Sequence, residues 1–157
     1  MRRVLGGLLI VALALAAVVA LVLVLQARDD AKVGGATGPG ERVTDRCPAH
    51  AAPVARDRRR LSPDQLETAL AAGNVVLLYR GGKPPAPLRR LQDDLTGPFD
   101  VEIAAAGQAV ILAAGGGAGT EARAWGRRLR VFSPSDPRLR DFADAWLGEG
   151  APQRCPA

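Results

Sequence analysis

Two cysteines and a single histidine are the side chains here best suited to redox, metal or nucleophilic chemistry, and their spacing argues against all three. Cys47 and Cys155 stand at the two ends of the stretch that patterns as folded. Neither has the Cys-x-x-Cys spacing that lets one thiol resolve the other's mixed disulfide. In an oxidising compartment an even count reads as a structural disulfide, with intermolecular pairing and free thiols as the alternatives. Closing a loop of about 100 residues would remove unfolded-state entropy worth roughly 4–5 kcal/mol in the simple model. His50 stands alone, whereas zinc takes three or four N, S or O ligands, so an exposed position beside Cys47 is expected.

The other chemical residues are also spoken for. Ser62 and Ser135 sit where helix caps are needed, and Ser133 lies in a proline-flanked turn. Asp93-Asp94 and Asp141/Asp144 fall on the outward faces of expected helices, away from any enclosed site. The run Gly115-Gly116-Gly117-Ala118-Gly119 lacks the Lys-Ser/Thr of a phosphate loop, and Thr120-Glu121 follows instead. No catalytic residue, metal set or cofactor is therefore assigned. A binding surface is the remaining candidate, formed by Trp125 and Arg127 with Gly115, Gly116 and Gly117.

Several elements would position these residues. Ser62-Pro63-Asp64-Gln65 carries an N-cap, a proline at the first helical position and a capping-box glutamine, with Leu61 and Leu66 as a hydrophobic staple. This predicts a helix over 63–72, stopped by Gly73. Asn74–Tyr79 is a continuous apolar run, as for a strand buried on both faces. Pro85–Thr96 reads as a second helix with Leu88, Leu91 and Leu95 inward. Phe99–Ala106 and Ala109–Ala114 read as strands around a Gly107-Gln108 turn, and Ala122–Phe132 as a fourth strand with Trp125, Arg127 and Leu129 on one face. Ser135-Asp136-Pro137 caps a last helix to Leu147. The expected order is α-β-α-β-β-β-α, an α+β domain with a mixed sheet of about four strands.

Val4–Leu25 contains no charged residue and follows Arg2-Arg3. At about 1.5 Å per residue such a helix crosses the roughly 30 Å hydrocarbon core of a bilayer. Val18-Val19-Ala20 fits a signal cleavage site, but the apolar run continues past it, which favours an uncleaved signal-anchor. The expected layout is 1–3 cytoplasmic, 4–25 transmembrane, 26–46 a flexible tether and 47–157 an extracytoplasmic domain at the cell membrane. The net charge of +5 comes mostly from arginine in an Ala-, Gly- and Pro-rich chain, the composition of a high-GC bacterium. Arg56-Asp57-Arg58-Arg59-Arg60 is the densest basic run. It is short and has few aromatic neighbours, which excludes a nucleic-acid partner and leaves a solvated face or anionic headgroups.

Ala124-Trp125-Gly126-Arg127-Arg128-Leu129, Asp136-Pro137-Arg138-Leu139 with Phe142, and Gly150-Ala151-Pro152 before Cys155 resemble an uncharacterised bacterial family of membrane-anchored extracytoplasmic proteins, called domain of unknown function 3105. The resemblance covers about 121–155, is weaker over 73–95, and supports the fold, the location and the disulfide. The family's His-x-Leu-Glu-His-Gly segment aligns with Thr68–Gly73, where only Leu70 and Gly73 match. Any metal or acid–base role of that segment should be missing here. The expectation is a non-enzymatic, single-pass module that binds a protein or another component of the cell envelope. The alternative is a metal-dependent or thiol-redox envelope enzyme.

Overall fold

In the computed structural model, which describes residues 38–48 and 56–151, the capping box at Ser62 is complete. The Ser62 hydroxyl accepts from the Gln65 amide and the Gln65 side chain accepts from the Ser62 amide. Helix α1 therefore starts at Pro63 and runs to Ala72, where left-handed Gly73 ends it. Chain contacts divide after Gly38, and the described residues from Pro39 onward form one unit.

That unit contains strand β1 (Glu41–Arg42), helix α1, strand β2 (Val75–Tyr79), helices α2 (Ala86–Thr96) and α3 (Val101–Ala105), strands β3 (Val110–Ala114), β4 (Thr120–Ala124) and β5 (Arg127–Val131), and helix α4 (Arg138–Trp146). The architecture is mixed α+β, with a five-stranded sheet in the order β1-β5-β4-β2-β3. Strands β2 and β3 are parallel, with Val75 opposite Val110, and every other pairing is antiparallel.

Helices cover both faces. Val75, Leu77, Tyr79, Val110 and Leu112 pack with Leu88 of α2 and Leu139 and Phe142 of α4. On the reverse face, Val76, Ile111 and Ala113 pack with Ala69 and Leu70 of α1 and Ala104 of α3. Double-sided burial explains why β2 and β3 read as unbroken apolar runs.

Four expectations are corrected. The sheet has five strands, not four, because Glu41–Arg42 pairs with Arg128 and Arg127 inside the stretch expected to be tether. Residues 39–45 are fixed further by the Trp146 indole, which donates to the Pro39 carbonyl at 2.8 Å, and by Asp45, which accepts from the Gly126 amide at 2.7 Å. Phe99–Ala106 contains a helix rather than a strand. The Asp100 carboxylate accepts from the amides of Glu102 and Ile103, and this N-cap outweighs a short period-two pattern. Ala122–Phe132 is not one strand: Trp125-Gly126 turns the chain, with Gly126 at φ +65° and Ala124 opposite Arg127. Finally, α4 is capped by Asp136, whose carboxylate accepts from the Arg138 amide, rather than by Ser135, whose own amide donates to the Ser133 hydroxyl.

Candidate binding surface at the glycine loop

Parallel strands β2 and β3 end side by side, and each runs into glycines: Gly81-Gly82 after β2 and Gly115–Gly119 after β3. The Gly115 and Gly116 amides both donate to the Tyr79 carbonyl at 3.1 Å, so the longer loop folds over the end of β2. Its far side presses on β5. A Cβ on Gly119 would lie 2.3 Å from the Val131 carbonyl oxygen, and φ there is +107°. Glycine is required by this approach. Between these fixed points, Gly117 and Ala118 form an exposed tip.

The tip, Gly119, Thr120, Glu121 and Arg130 line a cavity of about 340 Å³. Glu121 accepts from Arg130 at 2.8 Å and lies 3.6 Å from Arg123, which itself bonds Asp45 at 2.6 Å. This alternating row of charges runs along β4 and β5 from the loop toward the Trp125 turn. The Glu121 carboxylate is thus committed to arginine. An uncharged apolar group stands beside it: Phe132, the first residue past β5, is 94% exposed. A ring held in water is available for burial against another surface.

The residues singled out from sequence are not all brought here. Gly115, Gly116 and Gly117 are. Trp125 and Arg127 lie at the other end of five-residue β4, roughly 17 Å away at the rise of an extended strand. Trp125 is half-buried against the core beneath α1 and α3. Arg127 is 6% exposed, with its guanidinium 4.5 Å from the Trp146 ring, so it belongs to the interior. Phe132 falls at the end of the stretch expected as one strand over Ala122–Phe132, so nothing in the alternation sets it apart. The Trp125-Gly126 pair was the signal that could have separated it.

Cys155, His50 and Val4–Leu25 lie outside the described residues. Among the described residues there is no group of three or more His, Cys, Asp or Glu suited to a metal ion, and no helix long and apolar enough to cross a membrane. Asp94 is paired with Arg140 at 2.8 Å, while Asp93, Asp141 and Asp144 are exposed. No protein family, curated protein or solved structure matches this chain.

Proposed function

We propose that this protein is a single-pass, membrane-anchored, extracytoplasmic binding module without enzymatic activity, a divergent relative of the family named above, whose working surface is the glycine-loop end of its sheet. The observation that carries the reading is Phe132, a fully presented ring beside the 340 Å³ cavity. The anchor rests on the apolar run Val4–Leu25, and the kinship on residues 121–155. A photoreactive residue replacing Phe132 in the full-length protein in its native membrane should give a discrete adduct. The same probe replacing exposed Glu149, at the other end of the domain, should give none. Equal labelling from both would remove the reading. Saturable zinc or copper binding lost in His50→Ala would favour a metal-dependent protein instead.

A Cys47–Cys155 disulfide is part of the proposal. These are the chain's only cysteines, and no free cysteine occurs among the described residues. Residues 44–46 lie along the Pro63–Leu70 flank of α1, while the Ala151 amide donates to the Ala71 carbonyl at its far end. A helix of 10 residues is about 15 Å long, and the four residues beyond Ala151 reach about 13 Å, so the span can be closed.

A further inference from the structure

The two outer edges of the sheet are treated differently. Beyond β3, the segment Asp57–Arg59 supplies partners for the Leu112 and Ala114 backbones. Beyond β5, strand β1 pairs with Arg127 and Arg128 and no further. The chain leaves that ladder at Gly40, whose φ is +96°. A Cβ there would lie 2.7 Å from the Phe142 ring and 2.9 Å from the Arg128 carbonyl oxygen, and the Trp146 indole holds Pro39. Strand β5 therefore continues to Val131 past the point where its neighbour departs.

Strand alternation fixes which backbone groups are left open. The Val43 amide donates to the Gly126 carbonyl, so Gly126, and with it Arg128, Arg130 and Phe132, turn their backbone groups away from β4. The Arg130 amide and carbonyl and the Phe132 amide thus face outward. None of the three has a hydrogen-bond partner among the described residues. Spaced two residues apart, the Arg130 and Phe132 side chains project from one face of the sheet. The Arg130 side chain is 65% exposed and Phe132 is 94% exposed.

We infer that this open edge pairs with the same edge of a second copy of the chain, antiparallel, with Val131 opposite Val131 and Arg130 of each copy opposite Phe132 of the other. The neighbouring registers fail on their own chemistry. Arg130 opposite Arg130 would set like charges face to face. Phe132 opposite Phe132 would bring Arg130 against Pro134, which has no amide to donate, where the chain has already turned through the bond from the Asp136 amide to the Ser133 carbonyl. The register between them lets Arg130 and Phe132 exchange amide-to-carbonyl bonds on both sides of the twofold axis. It also lays each guanidinium on the other copy's ring and covers both rings. The edge is its own complement, since it carries both the cation and the ring that this register needs. The charges behind it are paired among themselves, Glu121 with Arg130 and Arg123, and Arg123 with Asp45, so they offer little to an acidic strand. So short a ladder makes the association weak and concentration-dependent. The pairing rests on the reading of Phe132 as a binding residue and names what covers it.

The test co-expresses two full-length forms in the native membrane: a tagged copy with benzoylphenylalanine replacing Phe132, and an untagged copy. Irradiation should give a product of twice the chain's mass, attached within residues 129–133 of the untagged copy. Arg130→Pro in the untagged copy leaves the β4 side of the ladder intact, because that amide faces away from it, and should cut the yield about tenfold. Arg130→Gln, which leaves the backbone untouched, should cut it about threefold through loss of the cation alone. Lowering expression of both forms should also lower the doubled share, with no substitution involved. An undiminished yield with both variants, or attachment elsewhere in the second copy, would overturn the pairing. So would a product of unchanged mass attached within its own chain, which would give the edge to the chain's own terminal residues. An adduct to a different polypeptide would overturn the pairing while keeping Phe132 as a binding residue, and no adduct of any kind would overturn both readings.

Discussion

Asn74 is 1% exposed, yet its amide is fully used. Its nitrogen donates to the carbonyls of Ala69 and Ala104, and its oxygen accepts from the Ala109 amide, tying α1, α3 and β3 together at one point. Replacing it with alanine orphans a buried N–H and carbonyl, so Asn74→Ala should lower unfolding free energy by about 3 kcal/mol in a urea titration. Tyr79, the chain's only tyrosine, is the reverse case: it is fully buried and its hydroxyl has no partner among the described residues. Burial raises its pKa, and the Asp57 charge adds to the rise against a smaller opposing effect of Arg58. A raised folded pKa gives stability that is complete below the unfolded value of about 10 and is lost as pH climbs through the folded one. Tyr79→Phe should therefore leave neutral-pH stability unchanged or raise it by up to about 1 kcal/mol, and flatten the alkaline fall in a pH series of denaturation midpoints.

At the scale of elements, the outer edge of β3 is closed by an irregular strap. The Asp57 carboxylate accepts from the Leu112 amide at 2.8 Å, the Arg58 amide donates to the Leu112 carbonyl, and the Arg59 carbonyl accepts from the Ala114 amide. Gln92 and Thr96 of α2 serve the two backbone groups of Val110. An open, apolar edge strand is a template for pairing between chains, and this closure removes it. Asp57→Ala should release the strap, and light scattering should then rise on mild heating while wild type stays clear. Legibility differed between elements for physical reasons. Helix α1 was readable to the residue because its start is written in local hydrogen bonds between Ser62 and Gln65. Helix α3 was not, since Val101 and Ile103 imitate a strand's alternation although they end up exposed, and Ala104 is the residue that packs. The Asp100 cap was the better signal. Strand β1 has two residues and no period at all, and only its partner β5 makes it a strand.

For the whole molecule, sequence sufficed for class and composition but not for which end of the sheet each loop would occupy. That depends on strand direction, which pairing alone decides. Trp125 and the glycine run look like neighbours along the chain, yet opposite ends of β4 carry them. The proposed disulfide also acts at this scale, since it would join the segments on either side of α1. Thiol reduction should then lower stability by up to about 4 kcal/mol, read as a shifted urea midpoint, with no shift in Cys155→Ser. Phe132, by contrast, should be silent in that assay: Phe132→Ser should change stability by less than about 0.5 kcal/mol, since the ring is 94% exposed.

The two-residue strand at the point of entry has a mechanical meaning. A pull on the chain at Gly38 meets Pro39 first, held by the Trp146 indole, and then Gly40, which bends at φ +96°. Behind them stand the Glu41–Arg128 ion pair, the ladder to Arg127 and Arg128, and the bond from the Val43 amide to the Gly126 carbonyl. Asp45 grips both Arg123 and Gly126, passing tension to the central hairpin, as Trp146 passes it to α4. So short an edge strand is a fastening: a tug on the chain before it is shared among several contacts before the sheet itself gives way.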